Sequence, residues 1–224
     1  ARDVVLPAFA AEHLTRVLRL PDGAPVTCFD GDGHDYMGIL RRPGGRSVHV
    51  ELGTRAAVAT ESPLAITLLQ AIARGEKMDL VLQKATELGV ARIVPLVSER
   101  TEVRLDEDKA GKRLAHWRRV VLSACEQCGR AVVPMVDAPM PMSGIGDAGF
   151  DGLRVALHPE ASEGIATLLA ASPPTAVTLA VGPEGGFGER DLAALAHAGF
   201  RRLRLGPRVL RTETAGLAAL AALQ

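Results

Sequence analysis

From residue 64 onward the chain alternates short apolar runs with amphipathic stretches, and this rhythm constrains the fold more than any other feature. The apolar runs are nearly uninterrupted, as is typical of parallel strands covered by helices on both faces. They occupy residues 64–70, 92–97, 153–158, 176–181 and 201–205. Helices are predicted between and after them, at 78–88, 108–127, 163–170, 189–198 and 212–223. The pattern therefore predicts a doubly wound α/β domain.

The first sixty residues follow a different rhythm. A helical stretch at 11–19 precedes short predicted strands, with glycine-containing turns between them. These strands lie at 26–30, 36–41 and 47–52. Short strands about every ten residues favour a small antiparallel barrel or sheet. Ser62-Pro63 marks the boundary, so we predict two domains, residues 1–62 and 63–224.

The 26 basic and 26 acidic side chains cancel, but they are unevenly distributed. Residues 131–199 carry 2 basic and 8 acidic side chains, whereas residues 200–212 carry 5 basic and none that are acidic. Such a local excess can bind phosphates although the whole molecule has no bias toward nucleic acid. Arginines that only solvate a strand edge explain the segment equally well. An aromatic content of 3% disfavours a base-stacking platform.

The three cysteines are too few for a disulfide framework. Cys125 and Cys128 have the C-x-x-C spacing of a redox pair or half a zinc site. A second half-site is missing, and the pair closes a helix rather than opening one, so we interpret these cysteines as structural and expect no metal. No apolar run reaches the roughly 20 residues that span a bilayer. The start of the chain lacks a signal-peptide core, and we expect a cytoplasmic protein.

Three predicted strand ends carry unusual residues, and ligands bind outside the carboxyl ends of strands in open parallel sheets. They are Leu157-His158-Pro159, the glycine-rich segment 182–188, and the segment 205–215 that enters the last helix. The glycine-rich segment lacks both the P-loop and the G-x-G-x-x-G spacing. We interpret it as backbone exposed for recognition, for example of a planar adenine. A type II turn with proline at its second position is the structural alternative.

The basic and acidic residues before the last helix are the second candidate feature. Arg208, Arg211 and Glu213 lie within six residues of one another. Two guanidinium groups and a carboxylate at a helix N-terminus suit a polyanionic partner and one acid/base step. Helix capping by Thr212 or Glu213 is the structural alternative. His158, taken alone, is interpreted as a structural histidine.

Two C-terminal motifs give the chain a family resemblance. Segments 181–187 (VGPEGGF) and 205–215 (LGPRVLRTETA) resemble the signature of the RsmE family, bacterial small-subunit rRNA uridine-N3 methyltransferases of the SPOUT superfamily. Supporting segments match in order, so the resemblance covers nearly the whole chain. They lie at 13–19, 29–31, 74–77, 83–84, 87–89, 98–100 and 124–130.

The resemblance implies a small PUA-like β-barrel domain that binds RNA, followed by a SPOUT-type α/β domain with a C-terminal trefoil knot. It also implies a homodimer, which the apolar last helix suits. The family commonly opens with an arginine-rich strand before the segment that matches residues 4–7, and it runs a few residues past the position of Gln224. We interpret the start of the chain as trimmed or disordered.

The resemblance further implies that S-adenosylmethionine (SAM) binds in the knot as methyl donor, with no metal. The cofactor-binding residues would be Leu157, His158, Gly182, Gly185, Leu205, Gly206, Leu210, Thr212 and Thr214. Methylation at N3 requires loss of the imide proton of uridine. We assign Arg211 to stabilise the resulting anion, and Glu213 or Glu184 to accept the proton.

The implied substrate is one specific uridine of 16S rRNA within the 30S subunit, with no membrane partner. The expected RNA contacts are Arg16 and Arg19 in the small domain, and Lys77, Lys84, Arg100, Arg130 and Arg208 in or near the larger one. Two alternatives stay open: a SPOUT methyltransferase acting on another rRNA or tRNA nucleotide, and a non-catalytic RNA-binding ribosome assembly factor. A dinucleotide-dependent oxidoreductase is disfavoured, because the turn after Gln70 lacks a glycine fingerprint.

Overall fold

The computed structural model describes residues 2–42, 47–102, 107–165 and 174–224. The chain divides into two compact units. The first comprises Ala1–Glu61 with Arg130–Val132, and the second comprises Ser62–Gly129 with Val133–Gln224. The first unit thus includes a short segment, Arg130–Val132, from the middle of the chain. Local sequence patterns do not indicate this, because it depends on contacts between residues far apart in sequence.

The first unit contains a four-stranded antiparallel sheet in the order β1-β4-β3-β2. The strands are Arg2–Val5 (β1), Pro25–Cys28 (β2), His34–Arg41 (β3) and His49–Ala57 (β4). Helix α1, Ala8–Glu12, continues into a π-helical segment, His13–Val17. The predicted antiparallel arrangement is confirmed, but the described strands form an open sheet with β1 and β2 at its edges rather than tracing a closed barrel.

The sheet of the first unit packs on a small apolar core. Leu40 of β3 and Val50 of β4 are completely buried, and Leu14 and Leu20 pack against them. Strand β1 was not predicted from the sequence, because it has only four residues, two of them charged and exposed. Its register, in which Val4 pairs with Val50, is set by β4.

The second unit is built on a parallel sheet in the order β11-β9-β10-β5-β6-β7, with β8 also paired to β6. All of its strand pairs are parallel, and the predicted α/β class is confirmed. The strands are Ala65–Ala71 (β5), Arg92–Val97 (β6), Met135–Val136 (β7), Met140–Pro141 (β8), Leu153–Leu157 (β9), Ala176–Val181 (β10) and Arg201–Leu203 (β11). The two-residue strands β7 and β8 were too short for a sequence signal.

Four helices cover this sheet in the part of the chain that the structure describes. They are Lys77–Glu87 (α2), Glu107–Cys128 (α3), Glu189–His197 (α4) and Thr212–Leu223 (α5). The helix predicted at 163–170 falls largely outside the described residues. No helix among those described is both long and apolar enough to cross a membrane.

The two central strands, β5 and β10, determine where a ligand can bind. Leu68, Leu69, Leu179 and Ala180 on these strands are completely buried. From β5 the chain goes on to β6, its neighbour on one side, whereas from β10 it goes on to β11 at the opposite edge. Adjacent parallel strands that continue in opposite directions leave a crevice at their carboxyl ends.

Helix α5 returns from the edge of the sheet to its centre. The helix follows edge strand β11, yet it packs against β5, β10 and α2. At its end, the Nε2 of Gln224 donates a hydrogen bond to the carbonyl oxygen of Leu88, at 3.0 Å. This path brings the segment 205–211 to the carboxyl edge of the sheet.

The turn before β9 provides a test of the fold. Gly152 has a φ of +72°, and a Cβ there would lie 2.2 Å from the carbonyl oxygen of Ala176. We predict that Gly152→Ala lowers the free energy of unfolding by about 3 kcal/mol or more, because the backbone must shift at a strained position. Urea unfolding measures the change.

The matched control is Gly111→Ala in α3, an exposed site where a Cβ meets nothing within 4 Å. We expect that variant to gain up to about 1 kcal/mol, since alanine is the better helix former. Equal stability of Gly152→Ala and wild type would contradict the described turn.

Candidate functional site

A cavity of about 700 Å³ opens at the carboxyl edge of the sheet in the second unit. It lies where β9 and β10 end, and the segment after β11 forms another wall. Twelve of the residues predicted from the sequence as site residues line it. They are Leu157, His158, Gly182, Glu184, Gly185, Leu205, Leu210, Arg211, Thr212, Lys77, Arg100 and Arg208. The three unusual strand ends therefore meet at one place, as the parallel topology predicts.

The glycine-rich segment, which we call the glycine loop (residues 182–188), folds back tightly on itself. The N–H of Gly186 donates a hydrogen bond to the carbonyl oxygen of Pro183 at 2.9 Å. This bond places the proline first in the turn, and the positive φ of +68° falls on Gly186. The type II turn with proline second is therefore not observed. A Cβ on Gly182 would lie 3.0 Å from the backbone nitrogen of Phe187, so the fold-back needs glycine there.

Two side chains anchor the glycine loop to the loop that follows β6. The buried carboxylate of Asp191 accepts hydrogen bonds from the N–H of Gly188 at 3.0 Å and of Glu99 at 3.1 Å. Arg100 donates to the carbonyl oxygen of Gly185 at 2.7 Å. Sequence reasoning missed Asp191, although an acidic residue three positions after Gly188 is a capping-box signal. These bonds fix the glycine loop in place.

The start of α5 is held by a hydrogen bond from its first residue, Thr212, to another part of the chain and not by a side-chain cap. Arg211 occupies the N-cap position without a side-chain cap hydrogen bond, so the capping alternative for Thr212 or Glu213 is wrong. The buried hydroxyl of Thr212 donates instead to the carbonyl oxygen of Gly182 at 2.6 Å. It accepts a hydrogen bond from Gln70, a residue that sequence reasoning did not select. The available signal was an amide in an otherwise apolar strand.

Lys77 links the two candidate bases. Its ammonium donates to Glu184 at 3.0 Å and lies 3.8 Å from the carboxylate of Glu213. Partial burial raises the pKa of Glu184, but hydrogen bonds from its own N–H, from Lys77 and from the N–H of Arg74 outweigh this and lower the pKa below 4.5. In contrast, Oε2 of Glu213 is buried and accepts no hydrogen bond from the described residues. Lys77 thus donates a hydrogen bond to one of the two carboxylates and only lies near the other.

Three predicted cofactor or catalytic residues do not line the cavity, although they lie beside residues that do. They are Gly206, Glu213 and Thr214. His158 does line it, and its Nδ1 accepts the N–H of Glu160 at 3.3 Å. Arg204 lines the cavity as well and was missed, because an arginine near the end of an exposed edge strand carries no distinctive sequence signal.

Four further predicted RNA contacts, Arg16, Arg19, Lys84 and Arg130, are not among the residues that line the cavity. Arg16 and Arg19 are exposed on the first unit, and Arg16 pairs with Glu12 at 2.7 Å. Lys84 donates to Glu87 within α2, at 2.8 Å. Arg130 is only 4% exposed, and its guanidinium donates to Glu61 at 3.0 Å. In this conformation Arg130 therefore holds the first unit together and does not present its charge at the surface.

The two cysteines of the second unit, Cys125 and Cys128, do not line the cavity. Cys125 is buried in α3, Cys128 is partly buried one turn later, and Cys28 belongs to the other unit. Within the described ranges, no group of three or more His, Cys, Asp and Glu side chains is arranged to hold a metal ion.

Comparisons with known proteins place the chain among RNA-modifying enzymes. Residues 60–224 match the family described as RNA methyltransferase domain, and residues 10–53 match the RNA methyltransferase PUA domain. The ribosomal RNA small subunit methyltransferase E of Mycobacterium bovis is 34% identical over 215 residues, which cover 94% of this chain and 81% of that protein.

Two solved structures are similar over the full length of this chain and 91% of their own. One is a methyltransferase from Legionella pneumophila in complex with the bound cofactor SAM, at 38% identity and a TM-score of 0.93. The other is the ribosomal RNA small subunit methyltransferase E from Neisseria gonorrhoeae bound to S-adenosyl methionine, at 37% identity and a TM-score of 0.89.

The lowered pKa of Glu184 generates a prediction about acid stability. Its ionised form is favoured in the folded state, so its contribution is present above pH 4.5 and is lost as the pH falls through the lower folded-state pKa. We predict that Glu184→Gln is less stable than wild type at neutral pH and that the difference in free energy of unfolding shrinks below pH 4.5. Chemical unfolding across the pH range measures it.

Glu160→Gln is the control, since Glu160 lines the same cavity and its carboxylate accepts no hydrogen bond from Lys77. A stability difference between Glu184→Gln and wild type that is constant with pH would contradict the described hydrogen bonds.

Proposed function

The chain belongs to the RsmE family of ribosomal RNA small subunit methyltransferases, and we propose that it transfers the methyl group of SAM to N3 of one specific uridine in 16S rRNA. The enzyme class follows from family membership. The observation that supports the proposal is the cavity, in which the glycine loop and the segment 205–212 bring Glu184 and Arg211 to one place, with Glu213 next to lining residue Thr212 in the chain.

The cavity suits SAM in size and chemistry. A volume of about 700 Å³ is in the range of pockets that enclose a small ligand. Gly182, Gly185 and Leu205 line it, and main-chain groups such as the N–H groups of the two glycines can read the edge of an adenine. SAM supplies an electrophilic methyl carbon, so the protein needs to orient the two substrates and to remove one proton.

Arg211 is proposed to stabilise the uridine anion. N3 of uridine carries a proton at neutral pH, and the negative charge left by its removal spreads onto O2 and O4. Arg211 lines the cavity, and as the helix N-cap its carbonyl oxygen accepts hydrogen bonds from the N–H groups of Thr214 and Ala215. A permanently charged donor whose backbone is held in this way can stabilise a developing oxyanion.

Glu213 is proposed to accept the N3 proton, directly or through water. Glu184 is not assigned this role, because hydrogen bonds to its ionised form lower its pKa. Oε2 of Glu213 accepts no hydrogen bond from the described residues, and the ammonium of Lys77 is 3.8 Å away. Lys77 thus donates a hydrogen bond to Glu184 but not to Glu213. We therefore propose that Glu213 accepts the proton and that Glu184 stays bonded to Lys77.

Arginines at the rim are proposed to hold the rRNA backbone beside the cavity. Arg100, Arg204 and Arg208 line it, and Val209, which follows Arg208, is 81% exposed. Arg16 and Arg19 would bind phosphate on the first unit, as the PUA family match supports. Because the net charge is zero, we expect weak affinity for naked RNA and a requirement for the folded 30S subunit.

A homodimer and a C-terminal trefoil knot complete the proposal. Helix α5 carries only apolar residues and one glycine from Ala215 to Leu223, and Ala221 and Ala222 remain exposed on it. An exposed apolar helix face favours burial against a second copy. The return of the chain from edge strand β11 to the sheet centre supports the knot. An experimental structure tests the threading, and a chain path passing outside the loops that precede α5 would contradict it.

The main test is methyl transfer from labelled SAM to 30S subunits that lack the modification, followed by mass spectrometry of the rRNA. We expect N3-methyluridine at one position with the wild-type protein. Arg211→Met should lower kcat by about 100-fold or more, as expected on loss of one charge-stabilising donor. Glu213→Gln should lower kcat and remove the acidic limb of its pH profile.

Arg190→Met is the matched control, because Arg190 is exposed on α4 and does not line the cavity. A modified nucleotide other than uridine would overturn the substrate assignment. Rates equal to wild type in both Arg211→Met and Glu213→Gln would overturn the mechanism.

The dimer is tested separately by sedimentation equilibrium. We expect twice the chain mass of 23.6 kDa. Ala221→Asp should shift the equilibrium to monomers, because it places a charge on the apolar face of α5. Asp substitution at exposed Ser123 of α3 controls for added charge. A wild-type monomer at micromolar concentration would contradict the dimer.

A further inference from the structure

Gln70 lies fully buried near the carboxyl end of β5, in a strand that is otherwise apolar apart from Thr67. Its Nε2 donates hydrogen bonds to the carbonyl oxygen of Ala71 and to the hydroxyl of Thr212, both at 3.0 Å. A carbonyl oxygen can only accept, so the amide nitrogen must face Ala71. Turning the amide over would set two oxygens against each other, and the orientation is therefore unique.

The orientation of the Gln70 amide determines the direction of the hydrogen bond that the hydroxyl of Thr212 donates. Because it accepts a hydrogen bond from Gln70, its own hydrogen is available for Gly182, whose carbonyl oxygen lies 2.6 Å away. One directed series of bonds therefore joins β5, the start of α5 and the end of β10. We call this series, Gln70 Nε2 to Thr212 Oγ1 to the Gly182 carbonyl oxygen, the Gln70 relay.

In the part of the chain that the structure describes, the relay leaves one buried oxygen of Gln70 without a hydrogen bond, which an apolar residue at this position would not do. Oε1 of Gln70 is buried with no hydrogen-bond partner among the described residues. It faces α5, where a Cβ on Gly216 would lie only 3.2 Å from it. A leucine or methionine would fill the same space without an unsatisfied oxygen. The amide is therefore explained by its donor bonds and not by packing.

The two ends of the relay are components of the site. Gly182 begins the glycine loop and lines the cavity, and Thr212 lies between Arg211 and Glu213 in the chain. We propose that Gln70 is a positioning residue, which sets the start of α5 against the glycine loop and thereby fixes the SAM cavity together with Arg211 and Glu213. This inference rests on the proposed function.

The experiment compares Gln70→Met, Thr212→Val and the double variant by calorimetric titration with SAM, well below the Tm of each protein. Methionine keeps the volume and removes both donors. Each single variant should raise the Kd for SAM about tenfold, the loss typical when a supporting hydrogen bond to a binding group is removed. The double variant should be no weaker than either single variant, because one break already interrupts the relay.

Thr178→Val is the matched control. Thr178 is a buried threonine on β10 whose hydroxyl donates to Asp151 at 3.1 Å, away from the cavity. Its Kd for SAM should stay close to the wild-type value even if its Tm falls. With saturating SAM, methyl transfer by Gln70→Met should also stay below wild type, because Arg211 and Glu213 are displaced with Thr212.

The outcomes separate the relay from the function. If Gln70→Met lowers the Tm but binds SAM like wild type, the role is structural only and the proposal is wrong. If the two single effects multiply in the double variant, the two residues act independently and the relay is wrong. If the wild-type protein itself does not bind SAM, the proposed function fails, and the positioning role fails with it.

Discussion

The site depends on buried hydrogen bonds that hold three separate stretches of chain at one edge of the sheet. Strand β5, the glycine loop and the start of α5 are distant in sequence, and the bonds between Gln70 and Thr212 alone span 142 positions. These bonds lie in a region that excludes water, where an unmade bond is costly and a made one is well defined. These bonds hold in place the backbone of the glycine loop and of the start of α5, both of which line the cavity.

Charge is organised around the same edge. Acidic residues concentrate in 131–199 and arginines in 200–212, and the fold brings both segments to the cavity. The ammonium of Lys77 contacts Glu184 and Glu213 in different ways. It donates a hydrogen bond to the carboxylate of Glu184, whereas it only lies near the carboxylate of Glu213. A molecule with no net charge thus presents a local field that suits an anionic substrate and a proton transfer.

Much of the fold could be predicted from the sequence because its signals are local. Apolar runs such as 176–181 predicted β10 with its exact bounds, and the long periodic stretch at 108–127 predicted α3 to within one residue at each end. Short elements escaped prediction. Strand β1 has four residues and takes its pairing from β4, and β7 and β8 exist only because β6 offers partners. Glycine and arginine motifs identified the cavity walls, since the carboxyl ends of parallel strands share an edge.

The sequence by itself determined the α/β class, the antiparallel start of the chain, the family and the segments that form the site. Only the tertiary structure decided what individual polar groups do. It showed Arg130 buried against Glu61, Thr212 bonded to Gly182 instead of capping a helix, and Asp191 and Gln70 holding the loops. The physical reason is range: periodicity and turn chemistry act between near neighbours, whereas the partner of a buried donor or acceptor is whatever the packing brings within about 3 Å.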